Sequence, residues 1–285
     1  MSSIITTKDM LKKAQKGKYA IGAFNVENME FVQAVVQAAT ELKSPVIIQT
    51  SVSTLKYATS NLFKAMVSAC ISDTDIPVAI HIDHGNSFDS IMSAIKGGYK
   101  SVMFDGSLLP YIENVKRTTE IVKICHHLGV TVEAELGAIA GKKDAPQDSK
   151  LLYTNPDTAL DFVEKTQCDC LAVAIGSCHG IYKAIPNLDY ERLKEIRHKV
   201  SVPLVLHGAS GLTSEQIQSC ICNGICKVNV CTELRQAWTK ATFDYQSLNP
   251  EVFDPKAAGE VARRAIVDIV KEKMKIFGSV NKAYD

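Results

Sequence analysis

The sequence predicts an α/β fold, a (β/α)8 TIM barrel forming a single domain over residues 1–285, and three observations lead there. Eight short apolar runs recur along the chain, each ending in Gly, Asn, Asp, His or Ser. The runs are near-continuously apolar instead of alternating, which suits strands buried on both faces of a parallel sheet. Stretches of helical spacing separate them, and 285 residues is an ordinary length for eight βα units.

In chain order, "MSSIITTKDMLKKAQKGK" comes first and has no apolar core before a cleavage site, so no signal peptide is expected. The first strand is "YAIGAFN" (19–25), followed by a helix over 28–43 that places Phe31, Val32, Val35 and Val36 on one face. "PVIIQTS" (45–51), "PVAIHIDHG" (77–85) and "SVMFDG" (101–106) supply strands two to four. A helix over 111–129 closes at Gly129, where a left-handed residue ends a helix at no steric cost. "VTVEAELG" (130–137), "CLAVAIGS" (170–177) and "PLVLHGASG" (203–211) are strands five to seven. The helix over 213–224 begins at Thr213, with Glu215 and Gln216 in its first turn, and stops at Gly224. "CKVNVCT" (226–232) is the eighth strand, and from about Pro250 a last helix, "AAGEVARRAIVDIVKEKMKIFG", packs outside the barrel. A doubly wound open sheet is the alternative, disfavoured because no G-x-G-x-x-G follows the first strand. No Pro/Gly/Ser-rich linker divides the chain.

Composition narrows the function classes. Hydrophobic residues make up 46%, charged residues 22%, and the net charge is +1, which argues against a nucleic-acid or anionic-membrane partner. No window is apolar for long enough to span a bilayer. Nine cysteines are scattered without a paired C-x-x-C pattern, and they read as reduced, mostly buried thiols of a cytoplasmic protein.

In such a barrel, polar residues at the C-terminal strand ends build the active site. Here they are Asn25, Ser51, Asp83, His84, Asp105, Glu133, Glu135, His179, His207 and Asn229. Three of the seven histidines, His84, His179 and His207, fall at or just past strands three, six and seven. Three neutral imidazoles with an open position suit catalytic zinc. His81 and Asp83 share one strand face by the two-residue period, and spacing alone does not choose between His81 and His84 as ligand. The loops "HGASG" (207–211) and "NVCT" (229–232) follow the last two strands, where barrels often hold a phosphate; Gly208, Ser210, Gly211, Asn229 and Thr232 fit that role. Strand six has no lysine, and Lys227, opening strand eight, reads as a solvated strand-start residue, so a metal is favoured over an imine as electron sink.

Together these residues resemble the zinc-dependent (class II) ketose-bisphosphate aldolases. "AFN", "HIDHG", "SVMFDGS", "VEAELG", "AIGSCHG", "LHGASG", "NVCTEL" and "KMKIFGS" match that family in order, nearly end to end. The resemblance implies that His84, His179 and His207 bind the catalytic Zn2+ and that Asp83 is the acid/base at the C3–C4 bond. Asp105 and Glu135 match positions that hold a second divalent or monovalent cation in some members. Gly180, Gly208, Ala209, Ser210, Asn229, Val230, Cys231 and Thr232 match the dihydroxyacetone-phosphate side of the site, with Lys183 as a further phosphate contact, and the strand-end residues Asn25 and Ser51 join them as substrate-binding candidates. The implied reaction is reversible cleavage of fructose or tagatose 1,6-bisphosphate to dihydroxyacetone phosphate and glyceraldehyde 3-phosphate. The family also implies a homo-oligomer, dimer or tetramer.

Two positions depart from the family pattern. The loop "AELGAIAGKKDAP" has Ala140 for the usual glycine and Lys143 where a proton-transferring glutamate is expected, with Asp144 adjacent. Cys231 stands where many fructose-bisphosphate members carry Asp or Asn, which leaves the stereochemistry at C4 open between the two ketoses. Two other readings remain: a zinc hydrolase using Asp83 on metal-bound water, and a phosphosugar-binding barrel without catalysis. The hydrolase would often carry an H-x-H pair on the first strand, which "YAIGAFN" lacks; only the altered loop favours the second.

Overall fold

A computed structural model describes residues 4–137, 139, 153–180, 182 and 186–284. Eight strands close into a barrel in simple sequence order. They are β1 (Ile21–Asn25), β2 (Val46–Ser51), β3 (Val78–Gly85), β4 (Ser101–Phe104), β5 (Thr131–Leu136), β6 (Cys170–Val173), β7 (Leu204–Leu206) and β8 (Ile225–Val230). Every pairing is parallel, and β8 returns to β1 with Ile21 opposite Lys227. Helix α1 (Thr7–Gly17) precedes β1, and α2 (Met29–Glu41) follows it. Then come α3 (Val52–Tyr57), α4 (Ser60–Cys70), α5 (Phe88–Lys96), α6 (Tyr111–His127), α7 (Pro156–Thr166), α8 (Tyr190–Lys199) and α9 (Ser214–Cys222). Two long helices, α10 (Thr232–Leu248) and α11 (Pro255–Ile276), complete the described chain.

Local chemistry sets the helix bounds. The Asn28 side chain accepts the Phe31 N–H at the start of α2, and Thr213 and Gln216 form a reciprocal capping box on α9. Gly129 and Gly224 take positive φ just beyond α6 and α9, as expected of helix-terminating glycines. The last helix starts at Pro255, a few residues after the expected point, because Asp254 caps it and a first-turn proline lacks the N–H that would go unpaired. A separate helix, α10, occupies the interval, and α11 packs against α10, α2 and β1.

Strand alternation divides the core in two. Phe24, Ile48, Ile80, Val102, Val132 and Leu171 face outward into the helix layer. Ile21, Ala23, Ile47, Ala79, Ala172 and Val205 face inward, where Met10, Leu11 and Ala14 of α1 plug the N-terminal end. Burying Met10 and Leu11 there contributes about 1.5–3 kcal/mol each. Beside the plug a hydrogen-bonded chain climbs the interior, from the Thr7 hydroxyl to Ser101 Oγ at 3.0 Å and on to His81 Nδ1 at 2.8 Å.

Lys227 corrects the sequence expectation. It is fully buried inside the barrel, its ammonium 2.7 Å from Glu133 Oε2, instead of solvated at a strand start. The lysine looks isolated in an apolar run because its partner lies 94 residues away. All nine cysteines are free; Cys125, Cys168, Cys170, Cys220 and Cys226 are buried, and Cys222 alone is exposed. No helix among the described residues is long and apolar enough to cross a membrane.

Candidate active site

The C-terminal ends of β3 to β8 converge on one mouth. On β3, Asp83 points inward by alternation, so strict alternation would turn His84 outward. Two features prevent that. The β3–β4 register shifts between Ile82 and Gly85, and His84 itself adopts φ 50, costing roughly 1–2 kcal/mol for a side chain with a Cβ. Gly85 allows the bulge to close, since a Cβ there would lie 2.6 Å from the Met103 carbonyl oxygen. The result places Asp83 and His84 side by side at the mouth, with His84 Nε2 3.8 Å from Asp83 Oδ1.

His84, His179 and His207 come together: one nitrogen from each lies within 4.8 Å of the others. His84 Nε2 and His207 Nδ1 are 3.1 Å apart. The far nitrogen of each ring is held by a carboxylate, His84 Nδ1 by Asp105 at 2.7 Å and His207 Nε2 by Glu133 at 2.8 Å. Carboxylates on the outer nitrogens orient the inner ones toward a common centre, as in sites that hold a divalent metal. Burial disfavours a charged His84, but the Asp83, Asp105 and Glu135 carboxylates outweigh it and raise its pKa to about 9. Burial, His84 and Lys227 keep the His207 pKa well below normal. Three imidazole nitrogens within 4.8 Å of one another, two of the rings backed by carboxylates, are a donor set that fits a divalent metal. A second trio, His84, Asp105 and Glu135, also has ligand atoms within 4.8 Å of one another.

Asp83 is held by two amides, Asn25 Nδ2 at 3.0 Å on Oδ2 and Asn229 Nδ2 at 3.1 Å on Oδ1. Gln49 Nε2 donates to Asn25 Oδ1 at 2.7 Å and fixes that amide's direction. Burial would raise the Asp83 pKa, but His84, His207, Lys227 and the Asn25 hydrogen bond together lower it. The balance favours the carboxylate form of Asp83 beside the three imidazoles.

A cavity of about 770 Å³ opens over these groups. It is lined by Asn25, Ser51, Gly180, Gly208, Ser210, Asn229, Cys231 and Thr232 along with Asp83, His84, Asp105 and His179. Ala209 and Val230 are buried and do not line it. Gly180, Gly208 and Gly211 adopt positive φ. A Cβ on Gly208 would come 2.4 Å from the Cys178 carbonyl oxygen. Tyr182 joins the same two loops, its hydroxyl accepting the Cys178 N–H at 2.8 Å and donating to the Gly208 carbonyl at 2.7 Å. Burial pushes the Cys231 thiol up to about 12, so it is a neutral wall of the cavity. Lys183, Ala140, Lys143 and Asp144 lie outside the described residues.

The structure also assembles groups the sequence reading passed over. Gln49 supports Asn25, and Ser53, Asn86, Arg117 and Arg235 line the cavity. Arg235 could have been anticipated, since it sits one turn beyond Thr232 in the helix that opens at the mouth. Arg117 carries no such signal, because it lies within α6 on a polar face. His81 is left as a packed residue, its Nε2 3.8 Å from Glu133 Oε2.

Comparison with known proteins agrees with this geometry. The family model for class II fructose-bisphosphate aldolase matches residues 5–282. The structure of the YdjI aldolase from Escherichia coli K12 is 38% identical and superposes with a TM-score of 0.87, covering 99% of this chain and 100% of that one. A candidate fructose-1,6-bisphosphate aldolase from Coccidioides immitis is 33% identical, with a TM-score of 0.87 and 97% of each chain covered. A fructose-bisphosphate aldolase from Campylobacter jejuni, 23% identical over 99% of this chain and 97% of its own, shares the fold with a TM-score of 0.83.

Proposed function

The chain belongs to the class II fructose-bisphosphate aldolase family, and from that premise we propose that it is a zinc-dependent aldehyde-lyase acting on a ketose 1,6-bisphosphate. Its substrate is fructose or tagatose 1,6-bisphosphate, and its products are dihydroxyacetone phosphate and glyceraldehyde 3-phosphate. The observation that carries this reading is the convergence of three imidazole nitrogens within 4.8 Å, beside a carboxylate held by Asn25 and Asn229.

His84, His179 and His207 would hold the metal, with Asp105 and Glu135 placed for a second cation. Bound there, zinc would act as a Lewis acid on the C2 carbonyl oxygen of the ketose. Asp83 takes the C4-hydroxyl proton as the C3–C4 bond breaks and returns it in the condensation direction. Asn25 and Asn229 keep both carboxylate oxygens aimed and ionised. Backbone N–H groups at Gly208 to Ser210 and from the end of β8 into the start of α10, Asn229 to Thr232, receive the phosphate, and Ser51 and Gly180 complete its surroundings. This remote binding energy holds the reacting carbons in register. We place the enzyme in the cytoplasm as a homo-oligomer of a single-domain chain.

The test is a coupled assay on both bisphosphates, before and after exhaustive chelation and after Zn2+ is restored. Cleavage of one or both, lost with the metal and recovered with zinc, is expected; undiminished activity in the chelated protein would refute the assignment. The ratio of the two rates decides which C4 epimer is the substrate.

A further inference from the structure

Beneath the trihistidine centre lies a buried ion pair that acid/base chemistry does not use. Glu133 bridges two residues: its Oε1 is 2.8 Å from His207 Nε2, and its Oε2 is 2.7 Å from the Lys227 ammonium. All three side chains are essentially inaccessible, at 1%, 0% and 0% exposure for Glu133, His207 and Lys227. The Cys170 thiol adds a weak hydrogen bond to Oε2 at 3.8 Å, and His81 Nε2, also at 3.8 Å, lies beyond hydrogen-bond reach.

We propose that Glu133, held in the dry interior by its ion pair with Lys227, is a positioning residue that sets the tautomer of His207 and so makes its Nδ1 a metal donor. A carboxylate only accepts hydrogen bonds, so the 2.8 Å contact requires the hydrogen on His207 Nε2. The lone pair then lies on Nδ1, the atom facing His84 Nε2 at 3.1 Å. Asn229 Nδ2 has a second hydrogen and lies 3.3 Å from the same Nε2, but the Glu133 contact is shorter at 2.8 Å and charge-assisted, so the ring hydrogen goes to Glu133. Lys227 does two things: it offsets the charge of Glu133 in a dry interior, and it pins one carboxylate oxygen so that the other stays on the imidazole. His84 is oriented by Asp105 at the half-exposed rim, whereas His207 is oriented from the sealed interior. The device rests on the aldolase reading only for the identity of the ion; the tautomer is a property of the chain itself.

Two charge-neutral double variants of the full-length protein isolate the acceptor. Glu133→Gln with Lys227→Met removes the ion pair but keeps a carbonyl that can accept from His207. Glu133→Leu with Lys227→Met removes the acceptor as well. Neither leaves a lone buried charge, so both are expected to fold. Zn2+ affinity is measured by competition with a chromophoric chelator, and the His207 tautomer by 15N shifts of histidine-labelled, metal-free protein. The Gln pair is expected to keep the Nε2–H form and bind Zn2+ close to the parent. The Leu pair is expected to show mixed tautomers and to bind about 10–100-fold more weakly. Equal affinity and the same tautomer in the two variants would overturn the proposal. If the parent binds no Zn2+ at all, the aldolase reading fails, yet the tautomer comparison still decides this one.

Discussion

Replacing Gly208 by alanine tests the junction between the two loops that carry His179 and His207. The residue has φ 68, where an alanine costs about 1–2 kcal/mol of backbone strain. Its new Cβ would stand 2.4 Å from the Cys178 carbonyl oxygen, and real Cβ atoms stay beyond 3.0 Å of such atoms, so at least 0.6 Å of movement is needed. The neighbour that must move is backbone, and Tyr182 bonds it to Gly208 on the other side. His179 is the next residue after Cys178, so the displacement passes directly to that imidazole. Metal–ligand distances tolerate only about 0.2 Å, and a loss of roughly 10–100-fold in Zn2+ affinity is the expected size for a disturbed ligand shell. Thermal unfolding of the metal-free chain, at about 0.6 kcal/mol per kelvin for a protein this long, should fall by 2–3 °C from the strain alone. Chelator competition and a thermal melt read the two effects separately. Zinc affinity within about twofold of the parent and an unchanged Tm would refute the link between this glycine and the site.

Other outcomes follow from the same geometry. Asp83→Ala should retain zinc while kcat for cleavage falls about 10²–10⁴-fold; turnover near the parent's, in the coupled assay, would remove Asp83 from its role. Lys227→Met alone leaves Glu133 buried without its cation and should cost about 3–5 kcal/mol, or 5–8 °C in Tm, whereas a change under 1 °C would show the pair to be energetically idle. Brief iodoacetamide treatment should label exposed Cys222 first, as read by peptide mass spectrometry. Burial raises Cys125 and Cys226 to about 11 and Cys168 and Cys220 to about 12, so label on these before denaturation would contradict the packing.

The strands were legible because each carries its own burial signature, and the capping residues Asn28, Thr213 and Asp254 are local signals too. Strand ends were less so: β6 and β7 are only 4 and 3 residues long, since "AIGS" and "HGASG" peel away to form the mouth. The choice between His81 and His84 was invisible to periodicity because it depends on a register shift and a positive φ at His84 itself. Family resemblance points to His84, and the bulge is what brings that side chain to the mouth. The Glu133–Lys227 pair escaped notice for a different reason. A lone charge in an apolar run suggests an exposed strand end until a partner from across the barrel is in view.

The plug formed by α1 has a temporal consequence. Residues 7–17 are made before any strand of the barrel, yet the side chains they cover include Val205 and Cys226, made some 190 residues later. The floor beneath the trihistidine centre therefore cannot be sealed until nearly the whole chain has been synthesised, and contacts of that sequence separation close slowly. A nascent chain carries at most two of the three imidazoles, those of His84 and His179, until His207 arrives after the seventh strand. Under the proposed metal-dependent reading, the complete three-imidazole donor set is therefore a late product of synthesis, coupled to barrel closure.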